Sequence, residues 1–177
     1  WSDIKEGTSK SKKIESIGLD PWAIDFALLD KNNSLLSNPF HYRDARTDGV
    51  MEDVFTRVPR AHIYDVTGIQ FLPFNTLFQL YAHAMAEPRL IETARALVTI
   101  PDLLNYWLTG EIKAEFTNAT TTQFVDARTR SWATGLLSKL GLPARLLPPI
   151  VEQGTTIGQL VSEVSPALAG TPIDEPG

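Results

Sequence analysis

The stretch SIGLDPWAIDFALLD, residues 16–30, constrains the fold more than any other part of the sequence. Its apolar residues form two short runs separated at Pro21, and this proline biases the preceding Asp20 toward extended backbone. Short apolar runs bounded by turn residues are typical of strands. The stretch therefore predicts strands over residues 14–19 and 23–30, joined by a tight loop.

The second of these strands leads into KNNS, a turn sequence whose asparagines tolerate positive φ. The run LLSNPFHY, residues 35–42, follows directly and is predicted to return as the antiparallel partner of residues 23–30. Asp25 has two interpretations. A carboxylate between Ile24 and Phe26 can act as a general base, but the alternation of a strand favours a position on the opposite face, where Asp25 serves only the hairpin.

Proline and glycine divide the middle of the chain into segments with helical spacing of apolar residues. Asn75 or Thr76 is placed to cap the third of these helices, and Pro88 and Pro101 open two others at first-turn positions. The predicted helices cover residues 50–58, 62–67, 77–86, 88–97, 101–109 and 132–140. A β-branched polar segment at 115–126 predicts a strand, and 148–160 predicts turns with one final strand.

The chain of 177 residues is predicted to form one mixed α/β domain, with strands near its start and around residues 115–126. Hydrophobic residues make up 43 % and charged residues 21 %, as in ordinary globular proteins. The formal net charge of −5 argues against nucleic acid as a partner, and the basic cluster Lys10–Lys13 is better explained as a solvated helix end. No apolar run suits a membrane span or signal peptide, so a cytoplasmic protein is expected.

Two polar segments are candidates for chemistry. In HYRDARTDG, the side chains of Arg43, Asp44, Arg46, Thr47 and Asp48 can converge on a polyhydroxy ligand. An Arg–Asp surface pair with helix capping by Thr47 or Asp48 explains them equally well. In FTNATTTQF, residues 116–124, an exposed sheet face is favoured over a site. His41, His62 and His83 have no metal-ligand spacing, so no metal site is predicted.

Five segments occur together in an order and spacing that resemble the rhamnulokinases, which are carbohydrate kinases of the FGGY type. They are SIGLDPWAIDFALLD, HYRDARTDG, TGIQFLPFNTLFQL, IPDLLNYWLTG and EFTNATTTQFVD. The resemblance implies an actin-like, ribonuclease-H-like N-terminal domain with a mixed sheet and flanking helices. It also implies transfer of the γ-phosphoryl group of ATP, with Mg²⁺, to the 1-hydroxyl of L-rhamnulose.

The same resemblance implies which residues bind the sugar. Trp22 and Ala23 match the sugar-contacting loop of the family, Phe74 and Asn75 match a second segment that lines the sugar pocket, and Arg43 with Asp44 match its polar rim. This sequence has Pro21 where the family usually has threonine, which removes a hydroxyl group and stiffens the loop.

Residues 1–177 match only part of such an enzyme. The family's phosphate loop precedes the matching region, its catalytic aspartate is expected after Gly177, and a second domain completes the ATP site. The chain by itself is therefore expected to transfer no phosphoryl group. Two alternatives remain: an FGGY kinase for another ketose or polyol, such as xylulose, ribulose or fuculose, and a sugar-binding module without catalysis.

Overall fold

The structure is a computed structural model that describes residues 14–174. Between these residues the chain forms seven α-helices and nine short strands. The helices are α1 (Val50–Arg57), α2 (Arg60–Thr67), α3 (Thr76–Ala86), α4 (Pro88–Thr93), α5 (Ile100–Thr109), α6 (Phe116–Thr121) and α7 (Thr134–Lys139). The strands are β1 (Ile17–Gly18), β2 (Phe26–Leu29), β3 (Ala96–Thr99), β4 (Ala114–Glu115), β5 (Val125–Asp126), β6 (Ser131–Trp132), β7 (Ile150–Val151), β8 (Thr156–Gln159) and β9 (Pro172–Asp174).

The strands form four small sheets. In the three-stranded sheet, β9 lies between β1, which is parallel to it, and β8, which is antiparallel. The strands β2 and β3 are antiparallel, β4 and β7 are parallel, and β5 and β6 are antiparallel. The expected mixed α/β architecture with flanking helices is confirmed.

The predicted hairpin of residues 23–30 with 35–42 is wrong. Only one isolated bridge, between Leu29 and Leu35, joins these segments. The partner of β2 is instead β3, in a register that places Phe26 opposite Thr99. All four residues of β2 and of β3 are buried, so β2 pairs with a distant strand inside the core and not with the neighbouring segment 35–42.

Three predicted helices end or begin at least two residues away from the prediction, and the one predicted over 62–67 begins at Arg60. The helix predicted over 88–97 stops at Thr93, because the apolar residues that follow form β3. The helix predicted over 132–140 begins at Thr134, since Trp132 belongs to β6. The predicted glycine ends hold: Gly68 and Gly110 follow α2 and α5 with φ of 68° and 78°.

The main core is formed by helices α1, α3 and α7 with residues of β2 and β3. Phe78, Leu77 and Phe124 are each fully buried in it. The core therefore holds α3 against β2, and this contact brings together the loops that precede these two elements. The basic cluster Lys10–Lys13 lies outside the described residues.

Candidate functional site

The loop before β2 contains a strained turn. The amide of Asp25 donates to the carbonyl oxygen of Ala23 at 3.0 Å, and Ile24 between them has a φ of +81°. This is the less common γ-turn, and a β-branched residue rarely adopts such a φ. Strain of this kind persists only where surrounding contacts impose it, and it is concentrated at functional sites.

Helix α3 supplies the contacts that impose the turn. The carbonyl oxygen of Ile24 accepts hydrogen bonds from Thr76 Oγ1 at 2.8 Å and from Gln79 Nε2 at 3.4 Å. Thr76 and Gln79 are both fully buried. Asn75 is the N-cap residue of α3, as expected, but its side chain does not cap the helix. The Thr76 hydroxyl bonds to the neighbouring loop instead.

Trp22 lies on the open side of this loop, with 56 % of its surface exposed. Its Nε1 donates to Oδ2 of Asp25 at 2.9 Å, which fixes the orientation of the indole ring. Asp25 is only 2 % exposed and lies in the turn just before β2, so the prediction that it serves only a hairpin of residues 23–30 with 35–42 is wrong. Its Oδ1 is buried without a hydrogen-bond partner among residues 14–174.

The loop before α3 carries Phe74 and Asn75. The Phe74 ring is half-buried, and it meets the ring of Tyr42 edge-on at 5.4 Å between centroids. Asn75 is buried, and its Nδ2 donates to the carbonyl oxygen of Gln70 at 2.9 Å. The Asn75 amide thus holds the loop together, while Phe74 faces the segment that contains Arg43.

The segment with Arg43 and Asp44 forms an exposed edge. The guanidinium of Arg43 lies 5.4 Å from the centre of the Tyr42 ring, so Tyr42 contacts both Arg43 and Phe74. Asp44 Oδ1 accepts from the Arg46 amide at 2.9 Å and caps the 3₁₀ turn Ala45–Thr47. The capping interpretation was therefore right in kind but assigned to the wrong residues, Thr47 and Asp48.

Arg46 turns inward from the same segment. Its guanidinium lies over the rings of Phe40 at 4.1 Å and Phe26 at 5.8 Å, and its Nη2 donates to Oε1 of Gln79 at 2.7 Å. Burial lowers the pKa of Arg46, whereas the carboxylates of Asp44 and Asp25 oppose this effect. The pKa of the nearby His83 is lowered by burial and by the charge of Arg46.

The segment predicted as a strand over 115–126 is mainly the helix α6. Both carboxylate oxygens of Glu115 cap it, accepting from the amides of Thr117 and Asn118 at 2.7 Å each. The hydroxyls of Thr120, Thr121 and Thr122 each donate to the carbonyl oxygen three residues before them, whereas that of Thr117 donates to Oε2 of Glu115 at 2.6 Å. The exposed sheet face expected here is therefore replaced by a capped helix.

Helix α6 contacts a buried acid that the sequence did not single out. Asn118 Nδ2 donates to Thr99 Oγ1 at 2.7 Å, and Thr99 Oγ1 donates to Asp102 Oδ2 at 2.6 Å. Asp102 is 2 % exposed, and burial raises its pKa from 3.8 to about 6 despite these hydrogen bonds. At neutral pH the carboxylate of Asp102 is therefore a buried charge, and its loss of hydration costs free energy.

This raised pKa predicts that stability falls as the pH rises from about 4 to 6. Folded Asp102 retains its proton in this window and the unfolded chain has lost it, so deprotonation opposes folding. The loss is complete above pH 6 and amounts to about 3 kcal/mol, at roughly 1.4 kcal/mol per pKa unit. We expect the free energy of unfolding of Asp102→Asn, measured by urea unfolding relative to the unsubstituted chain, to be about 3 kcal/mol higher at pH 7 than at pH 4. An equal difference at both pH values would contradict the assignment.

Three loops therefore meet beside α3 and present an exposed indole, a half-buried phenyl ring and a charged edge. Aromatic surfaces combined with a few polar groups are typical of small-molecule sites. Of the predicted residues, Trp22, Ala23, Phe74 and Asn75 lie on loops tied to α3, and Arg43 and Asp44 lie at the edge. Sequence reasoning missed Gln79, whose only signal was an amide in the apolar helix LFQLYAHAMA.

Residues 14–174 hold neither a metal-ligand cluster nor a membrane-spanning helix. Within this range no three His, Cys, Asp or Glu side chains converge as a metal site. None of the helices in this range has the length and apolar character needed to cross a bilayer.

Comparison with known proteins gives one family match. Residues 4–175 match the N-terminal domain of the FGGY family of carbohydrate kinases. The chain is 43 % identical to a rhamnulokinase of Oceanobacillus iheyensis over 93 % of its own length and 35 % of the relative's. It is 44 % identical to a rhamnulokinase of Mannheimia succiniciproducens over 88 % of its length and 32 % of the relative's. The chain thus spans about a third of these relatives.

Solved structures share the fold at lower identity. Plasmodium falciparum glycerol kinase with ADP superposes with a TM-score of 0.88 at 22 % identity, over 99 % of this chain and 37 % of that one. The ligand-bound xylulose kinase of Lactobacillus acidophilus gives a TM-score of 0.86 at 21 % identity, over 96 % and 35 %. The expected actin-like N-terminal domain is therefore confirmed.

Proposed function

The chain belongs to the FGGY family of carbohydrate kinases, and we propose that it is the sugar-binding part of an ATP-dependent rhamnulokinase. The reaction proposed for the whole enzyme is transfer of the γ-phosphoryl group of ATP to the 1-hydroxyl of L-rhamnulose. The observation that carries the proposal is the identity of 43–44 % to two rhamnulokinases over 88–93 % of the chain. Similarity to the solved glycerol and xylulose kinases is about half as high.

In this proposal the residues of the chain bind and orient the sugar. Trp22 offers its exposed indole face, with Ala23 beside it on the strained turn. Phe74 and Asn75 form the neighbouring wall, and Arg43 with Asp44 supply charged groups at the rim. Orientation of the reacting hydroxyl is a large part of catalysis in phosphoryl transfer, because the protein does little covalent chemistry there.

Bound ATP with Mg²⁺ supplies the transferred group in such kinases. Residues 14–174 contain no set of three metal-ligating side chains that fits Mg²⁺, so no step of the transfer is assigned to them. We propose that the aspartate that accepts the hydroxyl proton, the phosphate loop and most of the ATP site belong to parts of the enzyme outside this chain.

The proposal is tested by comparing the activity of the complete kinase on several ketoses. We expect the complete kinase, with ATP and Mg²⁺, to release ADP with L-rhamnulose at a kcat/KM at least tenfold above that with xylulose, ribulose or fuculose. The 177-residue chain serves as the control and is expected to release none. A higher kcat/KM with another ketose would identify that sugar as the substrate instead of L-rhamnulose. Sugar binding without ADP release by the complete protein would favour a non-catalytic module.

A further inference from the structure

We propose that Gln79 is a positioning residue of the sugar site. By bonding to all three segments, it holds the Trp22–Ala23 loop, the Phe74–Asn75 loop and Arg46 in fixed positions relative to one another. This inference rests on the proposed function, because that proposal assigns both loops to the sugar. Gln79 itself is fully buried and does not touch the sugar in this account.

The amide of Gln79 makes one hydrogen bond to each of three segments. Its Nε2 donates to the carbonyl oxygens of Phe74 at 2.8 Å and Ile24 at 3.4 Å. Its Oε1 accepts from Arg46 Nη2 at 2.7 Å. A side-chain amide has two N–H donors and one carbonyl acceptor, so both donors and the oxygen are engaged. No other natural side chain of this size offers the same set.

The bond to Ile24 has a further consequence, because it acts on the strained turn. The φ of +81° at Ile24 needs external contacts to persist, and only Thr76 and Gln79 donate to its carbonyl among the hydrogen bonds described. Removing the Gln79 amide takes its donor from the partly buried carbonyl of Phe74 and leaves the carbonyl of Ile24 with Thr76 Oγ1 alone. We therefore expect the turn to relax and Trp22 to shift from its place.

The same side chain also fixes Arg46. Two other guanidinium nitrogens of Arg46, Nε and Nη1, are buried without hydrogen-bond partners among the described residues. The bond to Gln79 is thus the hydrogen bond that holds this guanidinium in place over Phe40. The backbone amide of Arg46 donates to Asp44, and its side chain donates to Gln79. Arg46 therefore connects the rim to α3.

The test compares Gln79→Met and Gln79→Glu in the complete kinase. Both variants lack the Nε2 donors, and Glu retains an acceptor for Arg46. We expect the KM for L-rhamnulose to rise about tenfold in both, with the KM for ATP changing less than twofold. An unchanged sugar KM, a parallel rise in the ATP KM, or a rise in only one variant would overturn the proposal.

Gln123→Met is the matched control. Gln123 is also fully buried, and its Nε2 also donates to two carbonyl oxygens, those of Ile69 at 3.3 Å and Gln70 at 3.4 Å. It makes no described contact with the Trp22–Ala23 loop. Gln123 also reaches Gln70, the residue to which Asn75 is bonded, so a small effect on the sugar KM is expected. We expect Gln123→Met to raise the sugar KM no more than about threefold, because the Trp22–Ala23 turn and Arg46 keep their bonds to Gln79. A rise equal to that of Gln79→Met would assign the effect to general damage and overturn the proposal.

A second measurement does not depend on the substrate. Amide hydrogen exchange of a peptide covering residues 20–27, without sugar, reports the bond from the Asp25 amide to Ala23. We expect exchange to be about tenfold faster in Gln79→Met and unchanged in Gln123→Met. Equal exchange in all variants overturns the inference. If the complete protein phosphorylates no ketose, the proposed function fails while this measurement still decides the role of Gln79.

Discussion

Replacing Phe78 by alanine is expected to lower the free energy of unfolding by about 4 kcal/mol, the usual range for a buried phenylalanine. Phe78 is fully buried in α3, and its ring meets that of Phe55 at right angles, 6.1 Å away. The substitution leaves a cavity in the main core, where neighbouring side chains can collapse only in part. Urea unfolding followed by circular dichroism measures the loss.

Met85→Ala is the control for this substitution. Met85 belongs to the same helix but is 54 % exposed, and alanine suits a helix equally well. We expect a change of no more than about 0.5 kcal/mol, as for most surface substitutions. Equal losses in the two variants would contradict the placement of the core.

Replacing Trp22 by alanine is expected to lower kcat/KM for L-rhamnulose about 100-fold in the complete kinase. If the sugar covers about 100 Å² of the exposed indole, the loss is about 2.5 kcal/mol at 25 cal/mol per Å². Trp22→Phe keeps a ring but loses the hydrogen bond from Nε1 to Asp25, so an intermediate loss of about tenfold is expected. Steady-state kinetics over a range of sugar concentrations measures all three proteins.

Trp107→Ala provides a matched control, because Trp107 is a similarly exposed tryptophan, 49 % accessible, on α5. Its kcat/KM is expected to stay within twofold of the unchanged enzyme. Similar losses at Trp22 and Trp107 would remove Trp22 from the site.

Local signals in the sequence determined much of the helical structure. The segment Val50–Arg57 ends before Pro59, and α2 and α5 end before glycines with positive φ, as their sequences predicted. These features act within a few residues, through backbone conformations that proline and glycine restrict or allow.

Local signals failed where a distant segment decided the conformation. The partner of β2 is β3, about 70 residues away along the chain, and the nearby apolar run at 35–42 was taken for it. The β-branched residues of α6 suggested a strand, but the carboxylate of Glu115 accepts two backbone amides and starts a helix. A single well-placed cap outweighed a small difference in propensity.

The sequence by itself determined the family, the mixed α/β class and the segments from which a sugar site is expected. Only the tertiary structure decided that Asp25 is buried, that Ile24 forms a strained turn and that Gln79 bonds to three segments. Hydrogen bonds of this kind join residues up to 55 positions apart. They depend on how α3 packs against β2, and the spacing of residues within either element does not predict that packing.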